Sequence, residues 1–368
     1  MEIIHLILGK ANPERMNGVN KVVYQLATRQ AKSGRKVAVW GITRDTTHNY
    51  GPRNFTTVLF KAKASAFFLD EELKTAILEK QGKAVFHLHG GWIPTYYSIS
   101  RFMAQHHIPF VLTPHGAYNT VAMQRSRWTK KAYFQLFEKA LLNRAQRVHA
   151  IGESEVAGLH GIYANNKSFL LPYGFEYTQG LVNEQSEVSD KFIIGFVGRL
   201  DIYTKGIDLL IAAFKRFQND VPQATLWIVG DSNERITLEQ QIAKNAIENV
   251  VLWGSKYGEE KDKLMQKMHV FAHPSRNEGL PTAVLEAANM GVPCVVSDAT
   301  NVGRYVNDYN AGITVPSEDE DALLESFHHL YTIHQQNSLC EIGINANKMV
   351  EECFHWDSIV EEFDQLYR

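Results

Sequence analysis

The sequence predicts an α/β protein made of two doubly wound domains, each built on a parallel sheet. Three observations carry this prediction. Short, almost wholly apolar runs alternate with stretches of helical periodicity, the pattern of parallel strands buried on both faces. That alternation occurs twice along the chain, with a polar stretch between. The chain has 368 residues, beyond the size at which one hydrophobic core stops growing.

The elements follow in order. EIIHLILG (2–9) forms a first strand; its early acid and short apolar run do not fit a signal peptide. GVNKVVYQLATRQAKSG (18–34) is helical, with Gly34 as a C′ stop, and RKVAVWGI (35–42) is the next strand. AVFHLHG (84–90) and PFVLTPHG (109–116) are strands that each end in His-Gly, followed by the strand RVHAIGES (147–154). The second series runs FIIGFVG (192–198), a helix over 206–218, TLWIVGD (225–231), a helix over 234–247, VVLWG (250–254) and VFAHPS (270–275). A helix over 281–290 and PCVVSD (293–298) complete it. Pro281 suits a first helical turn and Gly291 a C′ position. The polar, turn-rich stretch around 176–189 is the expected linker, between domains at 1–175 and 190–353. In the last segment, 354–368, Trp356, Ile359, Val360, Phe363 and Leu366 follow helical spacing.

Composition excludes several classes. The chain is 45% apolar and 21% charged, an ordinary globular balance. A net charge of −2 gives no electrostatic footprint for nucleic acid. Cys294, Cys340 and Cys353 are odd in number and lack metal-like spacing, which fits a reduced, cytoplasmic protein. No apolar run approaches the roughly 18–20 residues of a membrane-spanning helix, so any membrane is met from its surface.

Open α/β sheets bind ligands beyond the carboxyl ends of their strands. That rule selects Gly18, His89, His115, Glu153, Arg199, Lys205, Gly230, Asp231, Gly254, Ser275 and Glu278. In FVGRLDIYTKGIDLL (196–210), Gly198 ends a strand and Arg199 and Lys205 precede a helix. Two cations at a helix N-terminus make an anion site suited to a diphosphate; the alternative is two solvated surface cations. In NEGLPTAVLE (277–286), two acids stand eight residues apart, about 80° from one another on a continuous helix. Because the helix starts at Pro281, Glu278 lies in the loop before it and Glu286 inside it. The amides of Gly279 and Leu280 are then free to meet phosphate oxygens. Glu286 is flanked by Val284, Leu285, Ala287 and Ala288, so its carboxylate needs a partner, for which a ligand hydroxyl would serve. The plainer reading is a near-cap acid and a solvated helix acid.

These residues carry a resemblance. FVGRL, KG, WIVGD, VVLWG and PSRNEGLPTAVLEAANMGVPCVVSD resemble the C-terminal domain of the family-four retaining glycosyltransferases, including their E-x7-E motif at Glu278 and Glu286. NGVNKVVYQLA, HLHGGW, TPHGAYN and the segment ending AIGESE resemble the N-terminal domain of a branch used in bacterial capsule, lipopolysaccharide and exopolysaccharide assembly. The resemblance covers nearly the whole chain. It implies the GT-B fold: two Rossmann-like domains facing each other across a cleft, with the last helix, 354–368, crossing back to the N-terminal domain. It also implies transfer of a sugar, with retention, from a UDP- or GDP-linked donor to a glycan or lipid-linked glycan acceptor.

The same resemblance assigns roles. Arg199 and Lys205 would hold the donor diphosphate, and Glu286 the ribose. Glu278 would hold the transferred sugar, beside Gly279, Leu280 and Pro281. His115 would lie by the donor sugar, and Gly18 would let the first loop approach the diphosphate. Gly254, Ser255 and Lys256 would lie near the base, with Gly198 and Asp231 completing the donor site. The chain departs from the family at Asn17-Gly18, where two glycines are usual, and at Tyr173-Gly174, where Asn-Gly is usual. Cations and helix amides can stabilise a leaving nucleotide without a metal, so no metal or other cofactor is expected. The competing readings are an epimerase or phosphorylase of the same fold and a nucleotide-sugar binder without turnover. A dinucleotide oxidoreductase is disfavoured, because GFVG (195–198) does not continue into G-x-G-x-x-G.

One stretch stands apart from this site. Residues 125–147 hold seven cations, among them Arg125, Arg127, Lys130 and Lys131, and a single acid, Glu138. Trp128, Tyr133, Phe134 and Phe137 interleave with them. Such a helix either lies on anionic lipid at the inner face of the plasma membrane or simply packs its aromatics on the sheet; the two are compatible if cations face out and aromatics in.

Overall fold

The computed structural model describes residues 1–12, 18–118, 127–178 and 191–368. It divides into two compact units, Met1–Gly174 with Trp356–Arg368, and Phe175–His355. Residues 179–189 of the expected linker lie outside the described residues.

The first unit carries β1 (Glu2–Leu8), β2 (Val37–Thr43), β3 (Thr56–Lys61), β4 (Ala84–His89), β5 (Phe110–Thr113), β6 (Arg147–Ala150) and β7 (Ser168–Leu170). They form one parallel sheet in the order β3-β2-β1-β4-β5-β6-β7. The second unit carries β8 (Ile193–Val197), β9 (Thr225–Val229), β10 (Val250–Gly254), β11 (Val270–His273), β12 (Cys294–Ser297) and β13 (Gly312–Val315). Their order is β10-β9-β8-β11-β12-β13, again all parallel. Both sheets bury both faces, because neighbouring residues of one strand enter different apolar clusters. In β2, Ala38 and Trp40 join one and Val37 and Val39 the other. In β8, Ile194 and Phe196 oppose Ile193 and Val197.

The sequence pattern did not mark β3, β7 and β13. All three are edge strands, and most of their residues are only partly buried. With one side open they need no continuous apolar run, so the signal that marks a central strand is missing.

The anticipated helices are present with shifted ends, at Ile207–Asp220, Arg235–Lys244 and Thr282–Asn289. Pro281 is the N-cap of the last of these and not a residue of its first turn. Gly206 caps Ile207–Asp220 with φ +66°, and a Cβ there would stand 2.0 Å from the Pro274 carbonyl oxygen. Only glycine fits that close approach of two loops.

The C-terminal helix, Trp356–Leu366, buries all five of its spaced apolar residues. Arg35 fastens it through both Asp364 oxygens, at 2.9 and 2.6 Å. A Cβ on Gly174 would lie 2.3 Å from Trp356 Cδ2, so the helix requires glycine at that position.

The basic stretch is not one regular helix. Arg127–Tyr133 and Lys139–Arg144 are joined by a π-helical turn, Phe134–Glu138. The wide turn brings both Phe134 and Glu138 into the interior. Glu138 accepts from the Trp92 amide at 2.5 Å and the Tyr118 hydroxyl at 2.9 Å. Its aromatics do not all face inward: Phe134 is buried, but Trp128 is 78% exposed.

Candidate functional site

In the second unit, strand order reverses between β8 and β11, the switch point at which open α/β sheets place their ligands. The loops after these two strands carry the main charges. Lys205, in the loop after β8, contacts Glu278 Oε1 in the loop after β11. The same oxygen receives His273 Nε2 at 3.1 Å. His273 is the last residue of β11 and is stacked between Phe196 and Phe271, at ring separations of 5.5 and 6.2 Å.

Burial, aided by the Lys205 charge, holds the His273 pKa down at about 3, so the ring is neutral. A neutral ring that donates from Nε2 has a bare Nδ1. That nitrogen is buried without a partner. Burial also lowers Lys205 to about 8, with the Arg199 guanidinium adding to the effect and Asp201 opposing it. Lys205 is therefore still charged at pH 7.

The two loops are stapled together by Arg276. Its amide donates to the Thr204 carbonyl at 2.9 Å. Its guanidinium spans both Asp208 oxygens at 2.7 and 2.9 Å and reaches the Tyr203 carbonyl at 2.6 Å. Ser275 Oγ adds a bond to the Thr204 carbonyl at 2.7 Å. On the far side, Asn301 Nδ2 donates to the carbonyls of Glu278 and Gly279 at 2.6 and 2.9 Å. The Glu278 amide is used, donating to Ala299 at 3.2 Å. The Gly279 and Leu280 amides donate to no protein group among the described residues. The loop thus offers two amides, a carboxylate and an ammonium from a fixed backbone.

Glu286 lies inside the helix, where the sequence places it, and has a protein partner that the sequence did not show. It lies in Thr282–Asn289, partly buried, and its partner is Lys261 Nζ at 2.7 Å. An ammonium from the helix Gly258–Met265 meets the requirement for which a ligand hydroxyl had been expected. Arg199 follows Gly198 with its side chain 73% exposed, and its nearest acid is Asp201 at 3.4 Å. After β9, Gly230 precedes Asp231, which accepts from the Ser232 amide at 2.8 Å. After β10, Gly254 has φ +69°, Ser255 is exposed and Lys256 pairs with Glu260 at 3.2 Å.

In the first unit, His115 follows β5 at φ +54°, half-buried and stacked on Tyr173 at 5.8 Å. Gly18 opens the helix Gly18–Lys32, while Asn17 lies outside the described residues. Arg125 and the side chain of Arg127 also lie outside them. Lys131 is exposed, and Lys130 Nζ stands 5.6 Å over the Trp92 ring.

Sequence reasoning missed His273, Arg276, Asn301 and Lys261. His273 had a usable signal: a histidine closing an apolar strand directly before the motif loop. Lys261 and Asn301 had none, because each belongs to an element remote from its partner in sequence.

Comparison with known proteins agrees with this architecture. Residues 16–175 match the family described as Glycosyltransferase Family 4, and residues 181–349 match Glycosyl transferases group 1. The chain belongs to this glycosyltransferase family. Over 254 residues it is 28% identical to the capsular polysaccharide biosynthesis glycosyltransferase CapM of Staphylococcus aureus, covering 64% of this chain and 65% of that protein. It spans 40–65% of the length of such curated relatives.

Among solved structures, it superposes on sucrose-phosphate synthase from Thermosynechococcus elongatus with a TM-score of 0.72 and 22% identity, covering 100% and 98% of the two chains. Anabaena HepE in complex with UDP and glucose gives 0.69 and 17%, covering 99% and 98%. The fold is GT-B.

Proposed function

We propose that this chain is a retaining glycosyltransferase that moves a sugar from a nucleoside-diphosphate sugar to a glycan acceptor, in the assembly of a surface polysaccharide. The observation that carries the reading is the Lys205–Glu278–His273 cluster at the switch point, beside two undonated amides and the exposed Arg199. Cations and amides suit a diphosphate, and a carboxylate suits sugar hydroxyls. Arg199 and Lys205 hold the departing diphosphate, so the reaction needs no metal. Glu278 binds the transferred sugar, and Glu286, released from Lys261, binds the ribose. The CapM relationship and the UDP-bound HepE neighbour support polysaccharide assembly and a UDP donor; GDP is the alternative base.

Thermal shifts with a panel of UDP and GDP sugars test donor binding, since a ligand of the folded state stabilises it with the logarithm of its concentration. Release of nucleoside diphosphate on adding acceptor separates an enzyme from a binder. Glu286→Ala should weaken binding of the nucleoside diphosphate alone about tenfold, the worth of one charge-assisted bond. Glu278→Ala should leave that affinity nearly unchanged and impair turnover. Equal nucleotide affinity in both variants would refute this division of roles.

The acceptor is proposed to be lipid-linked, with the protein on the inner face of the plasma membrane. Among the described residues, no helix is long and apolar enough to cross a membrane. The first unit instead exposes Trp128, Leu136, Phe67 and Phe68 on a surface that carries Lys131 and Lys139. Phe67 packs on Phe137 at 5.2 Å, which joins the preceding loop to the basic stretch. Binding to lipid vesicles should rise with their anionic content, each cation near the surface contributing about 1 kcal/mol. Charge reversal at Arg127, Lys130 and Lys131 should abolish it. Binding indifferent to either change would sink the membrane assignment.

A further inference from the structure

Five buried or half-buried histidines meet in the first unit: His5 on β1, His87 and His89 on β4, His115 after β5 and His149 on β6. Nitrogens of His5, His87 and His89 lie within 4.8 Å of one another, close enough to suggest a metal site. Their bonding argues for something else, because every ring nitrogen of these three already has a partner. The contacts form one chain. His149 Nε2 meets the Leu171 carbonyl at 2.7 Å, and His149 Nδ1 meets Thr113 Oγ1 at 2.8 Å. Thr113 Oγ1 meets His87 Nε2 at 2.5 Å, and His87 Nδ1 meets the Tyr367 hydroxyl at 3.0 Å. Gln30 Nε2 donates to Tyr367 at 3.1 Å, and Gln30 Oε1 meets His5 Nε2 at 2.7 Å. His5 Nδ1 meets His89 Nε2 at 2.9 Å, and His89 Nδ1 meets His115 Nε2 at 3.0 Å.

The direction of donation along this chain is determined. Burial keeps all five rings neutral, so each has one donor and one acceptor nitrogen. A carbonyl only accepts, so His149 donates to Leu171 from Nε2 and its Nδ1 is bare. Thr113 must then donate to His149 and accept from His87. Tyr367 must donate to His87 and accept from Gln30. Gln30 Oε1 accepts from His5, which accepts from His89, which accepts from His115. The chain ends at His115 Nδ1, which has no protein partner among the described residues. Each link is compatible with the next over nine groups, and the Gln30 amide agrees at both its ends.

We propose that Gln30 and Tyr367 are positioning residues, which through this one-way chain hold His115 as its Nε2–H tautomer and present its Nδ1 as an acceptor for a sugar hydroxyl. The hydroxyl half rests on the glycosyltransferase reading above; the tautomer half does not. His115 stands at the carboxyl end of β5, on the ligand-binding edge of a doubly wound sheet, and its positive φ is uncommon for a residue with a side chain. A histidine free to take either tautomer would present an N–H at Nδ1 part of the time; the chain removes that choice.

Nitrogen-15 spectra of histidine-labelled protein read the tautomer directly, with His115→Gln to assign the signals. The wild type should show a bare Nδ1 and a protonated Nε2 on His115 at pH 7. Gln30→Met removes the acceptor for His5 and should give a mixture of His115 tautomers and about a tenfold loss of kcat/KM, the worth of one hydrogen bond. Gln30→Glu keeps an acceptor for His5 and should retain the wild-type His115 spectrum. A purely structural role would not separate these two variants. A protonated Nδ1 in the wild type, or an unchanged His115 signal in Gln30→Met, overturns the proposal. A nucleotide sugar that stabilises the protein but leaves the Nδ1 signal unmoved overturns the hydroxyl half. Failure of every nucleotide sugar to bind defeats the glycosyltransferase reading instead, while the tautomer result stands.

Discussion

Lowering the pH from 6.5 to 4.5 is expected to destabilise the first unit by several kcal/mol, a large part of an ordinary domain's stability. Burial lowers His5 and His149 to about 4 and His115 to about 3, and it holds His87 and His89 well below the ordinary value. Each ring is neutral when folded but takes a proton near pH 6.5 when unfolded. Stability from these groups is therefore complete above pH 6.5 and falls as pH drops below it, until the folded pKa is reached. Two buried carboxyls act in the opposite sense. Glu138 and Glu155 are raised by burial to about 7, so acid relieves their cost between pH 7 and 4.5. At most five protons taken up on unfolding against two already held when folded leave a net of at most three, so the slope does not exceed about 4 kcal/mol per pH unit. Domain stabilities run about 5–15 kcal/mol. The second unit has three such histidines, His269 at about 4, His273 at about 3 and His334, which burial also lowers, and should lose stability over the same range. Hydrogen exchange followed unit by unit across this range would show the order of loss. His149→Gln should reduce the pH slope of the first unit by about one proton. A first unit equally stable at pH 7 and pH 5 would contradict the prediction.

The same chemistry shows what the sequence made legible. Central strands announce themselves, because a strand buried on both faces is apolar along most of its length; β1, β4, β8 and β11 were read in this way. Edge strands such as β13 (GITV) face fewer constraints and leave a weaker signal. Among candidate site residues, Arg199, Lys205 and Glu278 were visible as charges placed at strand ends and helix starts, and Glu286 as a carboxylate flanked by apolar helix residues. Their pairing was not. Nothing local to Glu286 indicates Lys261, since the two come together only when helices 258–265 and 282–289 pack. The histidine chain is the extreme case. HLH at 87–89 reads as two inconspicuous strand-end residues, and only the β1–β4 register, which sets His5 opposite His87, reveals a continuous array. Chemistry carried by one loop is legible in sequence, whereas chemistry carried across strands requires the register.

On the proposed reading, Arg199→Ala and Lys205→Ala should each lower turnover about 10²–10³-fold while weakening donor binding much less, because the charge they would face grows as the nucleotide departs. The two variants should differ in stability. Arg199 is 73% exposed with one distant acid, so its loss should leave the melting temperature of the second unit unchanged. Lys205 is mostly buried against Glu278, and its removal leaves that carboxylate with His273 as its remaining side-chain donor, at a cost of about 1–3 kcal/mol. Adding Glu278→Gln should restore stability in the Lys205→Ala background without restoring turnover. The pH dependence supplies an independent check. Burial sets Lys205 at about 8 in the free protein, so the ammonium is lost as pH rises through 8. Wild-type kcat/KM, which reports ionisations of the free enzyme, should fall on that limb. Arginine stays protonated far above this range, so Lys205→Arg should flatten the limb whatever it does to the maximum rate. Turnover unaffected by Arg199→Ala, together with an alkaline limb that persists in Lys205→Arg, would remove both residues from the diphosphate site.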